Sequence, residues 1–255
     1  MSYRFLEHSL LDSPEGACAV VYGRGCPLSC KYCYNTSLRD FCFVPGDLIV
    51  PEVNEKITAL KRWNEATRQY IKTVDYVIFS GGEILCKHEN ELYSMMHHAQ
   101  RSGFLTGIFT TGMFPEKIKF LLDNKLINFY HFDYKYYDVM IKQNLEIDNL
   151  TMESLKLVWK ELLHMTKKSD CIKYFHINTT VMKSVHDEDV LKYMHSRVKN
   201  IFPELMKLDI SINKFPSSKW GWKLTTLMDQ NTLGNLNLNL ETYSEKELNQ
   251  IIENL

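Results

Sequence analysis

Short runs rich in β-branched and aromatic residues alternate along the chain with stretches of helical periodicity. ACAVVY (17–22), VDYVIFS (74–80), FLTGIFT (104–110), INFYHFD (127–133), KYFHINTTV (173–181) and LMKLDIS (205–211) read as strands. Between them, 53–71 places Ile57, Leu60, Trp63 and Ile71 on one broad face and reads as a helix. The same holds for 90–103, which stops at Gly103, for 152–165 with its stripe of Leu155, Val158, Trp159, Leu162 and Leu163, and for 187–198. A last helix is expected over 244–255, where Ser244 and Glu247 fit a capping box. The alternation predicts right-handed crossovers, a parallel sheet and an α/β fold, and six strands suffice for an open, partial barrel. One domain is expected over 1–255, with 213–255 an extension packed on it. Asp229 to Glu241, polar and Asn-rich, reads as a loop or an appended piece.

Composition narrows the function classes more than the fold. A formal net charge of −1 gives no global pull toward nucleic acid or a membrane surface. No apolar run is long enough to span a bilayer, and the start lacks the basic-then-apolar order of a secretory signal. Seven cysteines in such a chain suggest reduced thiols and the cytoplasm rather than a disulfide framework. Cys18, Cys42, Cys86 and Cys171 are scattered and read as buried or free thiols, and His97 and His98 as helix-surface residues. Lys214, Lys219, Trp220, Trp222 and Lys223 form a local basic and aromatic cluster. It reads as a loop over the open edge of the barrel, with a partner or polyanion site as the alternative.

The chemistry gathers where the expected strands end. In parallel α/β folds functional groups collect at the strand-to-helix loops. The loop after the first strand carries Cys26, Cys30 and Cys33. Ser80-Gly81-Gly82-Glu83 follows the second strand, Thr110-Thr111-Gly112 the third, Asp133-Tyr134-Lys135 the fourth, and Asn178-Thr179-Thr180 lies late in the fifth. All are expected on one rim. A structural zinc site wants a fourth protein ligand, and no second Cys-x-x-Cys exists to supply it. Soft thiolates also suit iron–sulfur clusters, which normally take four cysteines. Three cysteines at Cys-x3-Cys-x2-Cys favour a cubane with one iron open to a small bidentate molecule over zinc or structural thiols. Gly81 and Gly82 would let backbone approach a ligand closely, and Glu83 could accept a hydrogen bond from an amino group. Alone, that segment is also a simple turn.

The loop Cys26-Pro27-Leu28-Ser29-Cys30-Lys31-Tyr32-Cys33 resembles the signature of radical S-adenosylmethionine enzymes. The resemblance implies a partial (β/α)6 barrel, a [4Fe–4S] cluster whose open iron chelates S-adenosylmethionine, and a 5′-deoxyadenosyl radical that abstracts hydrogen. It places Tyr32 near the adenine and the Ser80–Glu83 segment at the methionine part of the cofactor. The chain resembles most the activating enzymes of glycyl-radical enzymes, in particular the anaerobic ribonucleoside-triphosphate reductase activating protein group. HSLLDSPEGACAVVYGRGCPLSCKYCYN, INFYHFDYK and YFHINTTVMKSVHDEDVLKYM carry this likeness, over roughly Glu7 to Ile212. It makes Asp133 and Lys135 binders of the cofactor's polar end or a nearby cation, Thr110 and Thr111 candidates for ribose or carboxylate contacts, and Asn178 the counterpart of a cofactor-binding Arg. The chain departs from the group's Asp-Thr-Asn-Gly at Phe109-Thr110-Thr111-Gly112, and from its Val-Pro-Gly at Met182-Lys183-Ser184. The implied partners are a glycyl-radical enzyme as protein substrate and a flavodoxin- or ferredoxin-type electron donor. The rival readings are a small-molecule radical enzyme such as a deazaguanine synthase, and a non-catalytic iron–sulfur binding protein.

Overall fold

The computed structural model describes residues 2–30, 33, 35–135, 144–165, 172–183, 186–201, 209–213, 215–216, 220–226 and 243–254. Its elements run β1 (Tyr3–Ser9), β2 (Cys18–Gly23), α1 (Val50–Ala59), β3 (Lys61–Asn64), β4 (Gln69–Lys72), β5 (Tyr76–Gly81), α2 (Glu89–Arg101), β6 (Leu105–Thr110), α3 (Pro115–Asp123) and β7 (Phe129–Asp133). Then come α4 (Asn144–Met165), β8 (Tyr174–Val181), α5 (Glu188–Ile201), β9 (Asp209–Ile212), β10 (Trp220–Thr226) and α6, which spans Glu245–Glu253. The main sheet has eight strands in the order β1-β2-β5-β6-β7-β8-β10-β9. Among the described strands of this sheet, only β1 runs antiparallel to its neighbour. The fold is therefore mixed α/β with a mostly parallel sheet.

The pleat explains how the sheet is buried on both faces. In β2, Ala19 and Val21 join Val77, Phe79, Ile108, Tyr130 and Phe132 in the core shared with the helices. Their neighbours Cys18 and Val20 join Tyr76, Ile78 and Phe129 in a second core on the opposite face. That second core is bordered by Tyr22, Phe109, Tyr174 and Phe215. Helix α2 adds Leu92, Met95, Met96 and Ala99 to the first core. Ser244 caps α6 in the expected capping box.

Three parts of the chain differ from the sequence reading. The helix expected over 53–71 ends at Ala59, and 61–72 forms the β3–β4 hairpin. Asn64 Oδ1 accepts hydrogen bonds from the amides of Ala66 and Thr67, and Arg68 takes a left-handed conformation at φ 52°. That side-chain turn competes with a continuing helix. Trp63 and Ile71, read as sharing one helical face with Ile57 and Leu60, are exposed in the hairpin. Second, Trp220 and Trp222 lie not in a loop but in β10, which is inserted between β8 and β9. Trp222 is fully buried and its indole donates to Thr179 Oγ1 at 3.0 Å. Third, α3 and β1 were not expected. Pro115 starts α3, whereas β1 has a largely exposed pattern that hides its strand character. Tyr32, Cys171, Lys214, Lys219, the stretch 229–241 and the segment 205–208 lie outside the described residues. Among the described residues no helix is long and apolar enough to cross a membrane.

Candidate functional site

A cavity of about 390 Å³ opens at the C-terminal ends of the parallel strands. The three cysteines, Ser80 to Glu83, Thr110, Thr111, Asp133, Lys135, Asn178 and Thr180 line it, whereas Gly112, Tyr134 and Thr179, expected on the same rim, are not among its lining residues. The volume falls in the usual range for small-ligand sites.

The cysteine loop is fastened from several directions. The amide of Gly25 donates to Leu38 O at 2.8 Å and that of Cys26 to Arg39 O at 3.0 Å. Arg24, which precedes them, is buried, donates from Nε to Asp47 Oδ2 at 2.5 Å, and also donates to Ser37 O. Burial works against the Asp47 charge, but the Arg24 hydrogen bond and the Val44 amide override it and hold the carboxyl below its usual range. The glycines of the next segment have a use the sequence did not suggest. Gly81, at φ +129°, would place a Cβ 2.2 Å from Gly23 O, and a Cβ on Gly82 would lie 2.4 Å from Gly25 O. What approaches these glycines is the backbone of the cysteine loop itself. The amides of Gly82 and Glu83 donate to Gly23 O and Gly25 O at 3.0 and 2.9 Å.

Glu83 is buried and its carboxylate is fully engaged by the protein. Thr110 Oγ1 and the Leu85 amide donate to Oε1 at 2.6 and 3.1 Å, and the Thr111 amide and Oγ1 donate to Oε2 at 2.8 and 2.6 Å. Four donors fill the acceptor sites of a carboxylate. An amino group of a ligand, given to Glu83 in the sequence reading, would have to displace one of them. On the other side, Lys135 Nζ lies 2.9 Å from Asp133 Oδ2. Asn178 Nδ2 donates to Asp133 Oδ1 at 3.1 Å, and Thr225 Oγ1 donates to Asn178 Oδ1 at 2.7 Å. Burial opposes the Lys135 charge, yet Asp133, with Cys30 and Cys33 nearby, carries it above the ordinary lysine range.

The cavity also takes in Phe109, His131, Phe215, Lys223 and Thr225, which the sequence did not assign to this rim. Phe109 stacks on His131 with centroids 4.2 Å apart. Lys223 Nζ sits 4.6 Å from the Phe215 ring centroid. Burial, with Lys223 beside it, holds His131 well below its usual value and therefore neutral. Lys223, named above only in the basic and aromatic cluster, and Thr225 come from β10, so only recognition of that strand could have brought them to this site. Asp12 and Leu11 reach the mouth from the β1–β2 connection.

The donor set suits an iron–sulfur cluster. Cys26, Cys30 and Cys33 are in no disulfide among the described residues, and Leu28, Met113 and Met182 gather with them in one apolar group. Burial pushes the Cys26 thiol up to about 12, so loading with iron would release its proton. Among the described residues no three His, Cys, Asp or Glu side chains are grouped to hold a single metal ion. A cubane asks less of the loop, because each thiolate meets its own iron and the sulfurs surround a volume, not a point. Cys18, Cys42 and Cys86 are likewise in no disulfide among the described residues.

Residues 13–162 match the family described as a 4Fe-4S single cluster domain. A protein of Methanocaldococcus jannaschii named as a glycyl-radical enzyme activating enzyme is 26% identical over 196 residues, which cover 75% of this chain and 72% of the relative. A 7-carboxy-7-deazaguanine synthase of the same organism is 28% identical over 177 residues, or 65% of this chain and 64% of the synthase. Among solved structures, the crystal structure of archaeal TYW1 aligns with a TM-score of 0.40 and 15% identity, over 74% of this chain and 71% of that one.

Proposed function

Because the chain belongs to the 4Fe-4S single cluster domain family, and with it to the radical S-adenosylmethionine enzymes, we propose that it activates a partner glycyl-radical enzyme by removing hydrogen from a glycine Cα. One observation carries the reading: the three-cysteine loop, the Ser80–Glu83 segment and the Asp133–Lys135 pair share one cavity. The likeness to the named activating enzyme supports the choice of a protein substrate.

When bound, the cluster and S-adenosylmethionine supply the one-electron chemistry that ends in removal of a substrate hydrogen. Cys26, Cys30 and Cys33 would hold the cluster, and with no fourth cysteine in the loop it would stay open to S-adenosylmethionine. Lys135 keeps its charge beside Cys30 and Cys33 and is suited to the carboxylate. Asp133 and Asn178 offer acceptors and an amide to the ribose or carboxylate. Glu83 fixes Thr110 and Thr111, so the rim is ordered before any ligand arrives. Ser80 lines the cavity beside them, and Tyr32 is assigned to the adenine. Phe109 and Phe215 line the cavity and offer apolar rings to a bound ligand. The sheet is read as a partial (β/α)6 barrel within one domain, to which 213–255 adds β10 and α6. A reduced cytoplasm and a flavodoxin- or ferredoxin-type electron donor complete the proposal.

The test is electron paramagnetic resonance of a glycyl-radical partner mixed anaerobically with the reconstituted chain, S-adenosylmethionine and reductant. A glycyl doublet on the partner is expected. A second reading, a small-molecule radical enzyme, is favoured by the likeness to the deazaguanine synthase and by the aromatic inner wall with Lys223. Cofactor cleavage stimulated by a small heterocyclic substrate, without a radical on any partner, would select it.

A further inference from the structure

The β3–β4 hairpin takes no part in the cavity. Thr73 N donates to Leu60 O at 2.9 Å, and Lys72 Nζ donates to Gly103 O at 3.1 Å. The hairpin therefore sits where β5 and β6 begin, at the end of the strands opposite the rim. Trp63 and Tyr70 face each other across it, with centroids 5.2 Å apart at 69°, and they are 48% and 68% exposed. Lys61 and Lys72 are the next cross-strand pair on that face, and Arg62 pairs with Ile71 on the other. Over 61–72 the basic residues Lys61, Arg62, Arg68 and Lys72 stand against the single acid Glu65. A near-neutral chain thus carries a locally basic ribbon.

A second feature adjoins it. Gly103, which accepts from Lys72, directly follows the end of a groove of about 530 Å³ along α1 and α2. Tyr93, His97, His98 and Arg101 line this groove, and none of its lining side chains is acidic. His97 stacks on Tyr93 at 5.2 Å and 12°, and His98 Nε2 hydrogen-bonds Thr58 Oγ1 at 2.9 Å.

The arrangement discriminates between kinds of partner. A protein partner needs a contiguous apolar anchor that becomes fully desolvated. Here rings alternate with cations over an open surface. That alternation suits a polymer in which flat bases alternate with phosphates, where stacking and charge neutralisation act together. We propose that the β3–β4 hairpin and the adjoining α1–α2 groove bind single-stranded nucleic acid, with Trp63 and Tyr70 stacking on bases and Lys61, Arg68, Lys72 and Arg101 meeting phosphates. The site uses nothing from the cavity and stands independently of the activation reading.

The test is fluorescence anisotropy of a labelled oligouridylate titrated with the full chain across a series of salt concentrations. Binding is expected to be saturable and to weaken with salt, with a log–log slope of about −0.7 per phosphate contacted. Trp63→Ala and Tyr70→Ala should each weaken it about fivefold or more. Lys61→Glu and Arg68→Glu, which leave the ring pair in place, should weaken it and flatten the salt slope. Cys30→Ala should bind normally, which separates this site from the cluster. No binding at low salt would overturn the proposal, as would binding indifferent to all four hairpin substitutions. Equal competition by polyglutamate would also overturn it, in favour of an acidic protein partner.

Discussion

Arg24→Met should destabilise the protein and disable the cysteine loop together. The Arg24 and Asp47 side chains are 2% and 0% exposed and lie 2.5 Å apart. Removing the guanidinium leaves the carboxylate buried without its main partner, a loss of about 3–5 kcal/mol. Arg4 remains 3.4 Å from Asp47 on a half-exposed side chain, which places the expected cost toward the lower end. The lost hydrogen bond to Ser37 O adds about 1 kcal/mol. For a chain of this size each kcal/mol lowers Tm by about 2–4 °C, so a fall on the order of 10 °C is expected. The assay is thermal unfolding followed by circular dichroism, paired with iron content after anaerobic reconstitution. Arg24→Met/Asp47→Leu should recover much of the stability, because replacing both buried charges by apolar groups can be nearly neutral. The acid limb offers a sign check. The folded Asp47 carboxyl is held below its unfolded value, so its stabilisation is present above about pH 4 and is lost as pH falls through the folded value. Arg24→Met should flatten that loss. A Tm within about 2 °C of wild type would refute the reasoning.

Gly82→Ala should cost about 1–3 kcal/mol by overpacking and reduce iron loading, because its Cβ would press on the Gly25 carbonyl; unfolding and iron assays check it. Glu83→Gln keeps the shape but turns an acceptor into a donor facing donors from Thr110, Thr111 and Leu85. It should cost about 1–3 kcal/mol and, by loosening the rim, weaken S-adenosylmethionine binding in equilibrium titrations of the reconstituted protein. Burial, with Lys135 nearby, pulls His186 down to about 4. The unfolded chain therefore binds the proton first, and stability should fall as pH drops from about 6.5 toward the folded value. His186→Gln should flatten that slope in denaturant titrations across this range.

Much of the site was legible because its chemistry is carried by short local patterns. Cysteine spacing and the Gly-Gly-Glu turn follow buried strands whose apolar runs stand out in the sequence. The rest depended on contacts between distant segments. Gly81 and Gly82 were readable as requiring close approach, but only the fold shows that the approaching group is the cysteine loop's backbone. The place of Lys223 and Thr225 in the cavity was hidden because the short strand Trp220–Thr226 carries a lysine at its centre and lies beside β8 despite following β9. The hairpin at 61–72 was hidden because its apolar residues imitate a helical face, while the Asn64 side-chain turn decides otherwise. Arg24 and Asp47 gave no signal, since a buried ion pair 23 residues apart has no sequence pattern.

The most direct measurement is 5′-deoxyadenosine formed from S-adenosylmethionine by the anaerobically reconstituted chain with dithionite, quantified by chromatography beside Cys30→Ala. The account predicts 5′-deoxyadenosine from the wild-type chain, and neither cluster nor product from the variant. A wild-type chain that holds its cluster but forms no 5′-deoxyadenosine, or a variant that forms it undiminished, would contradict it.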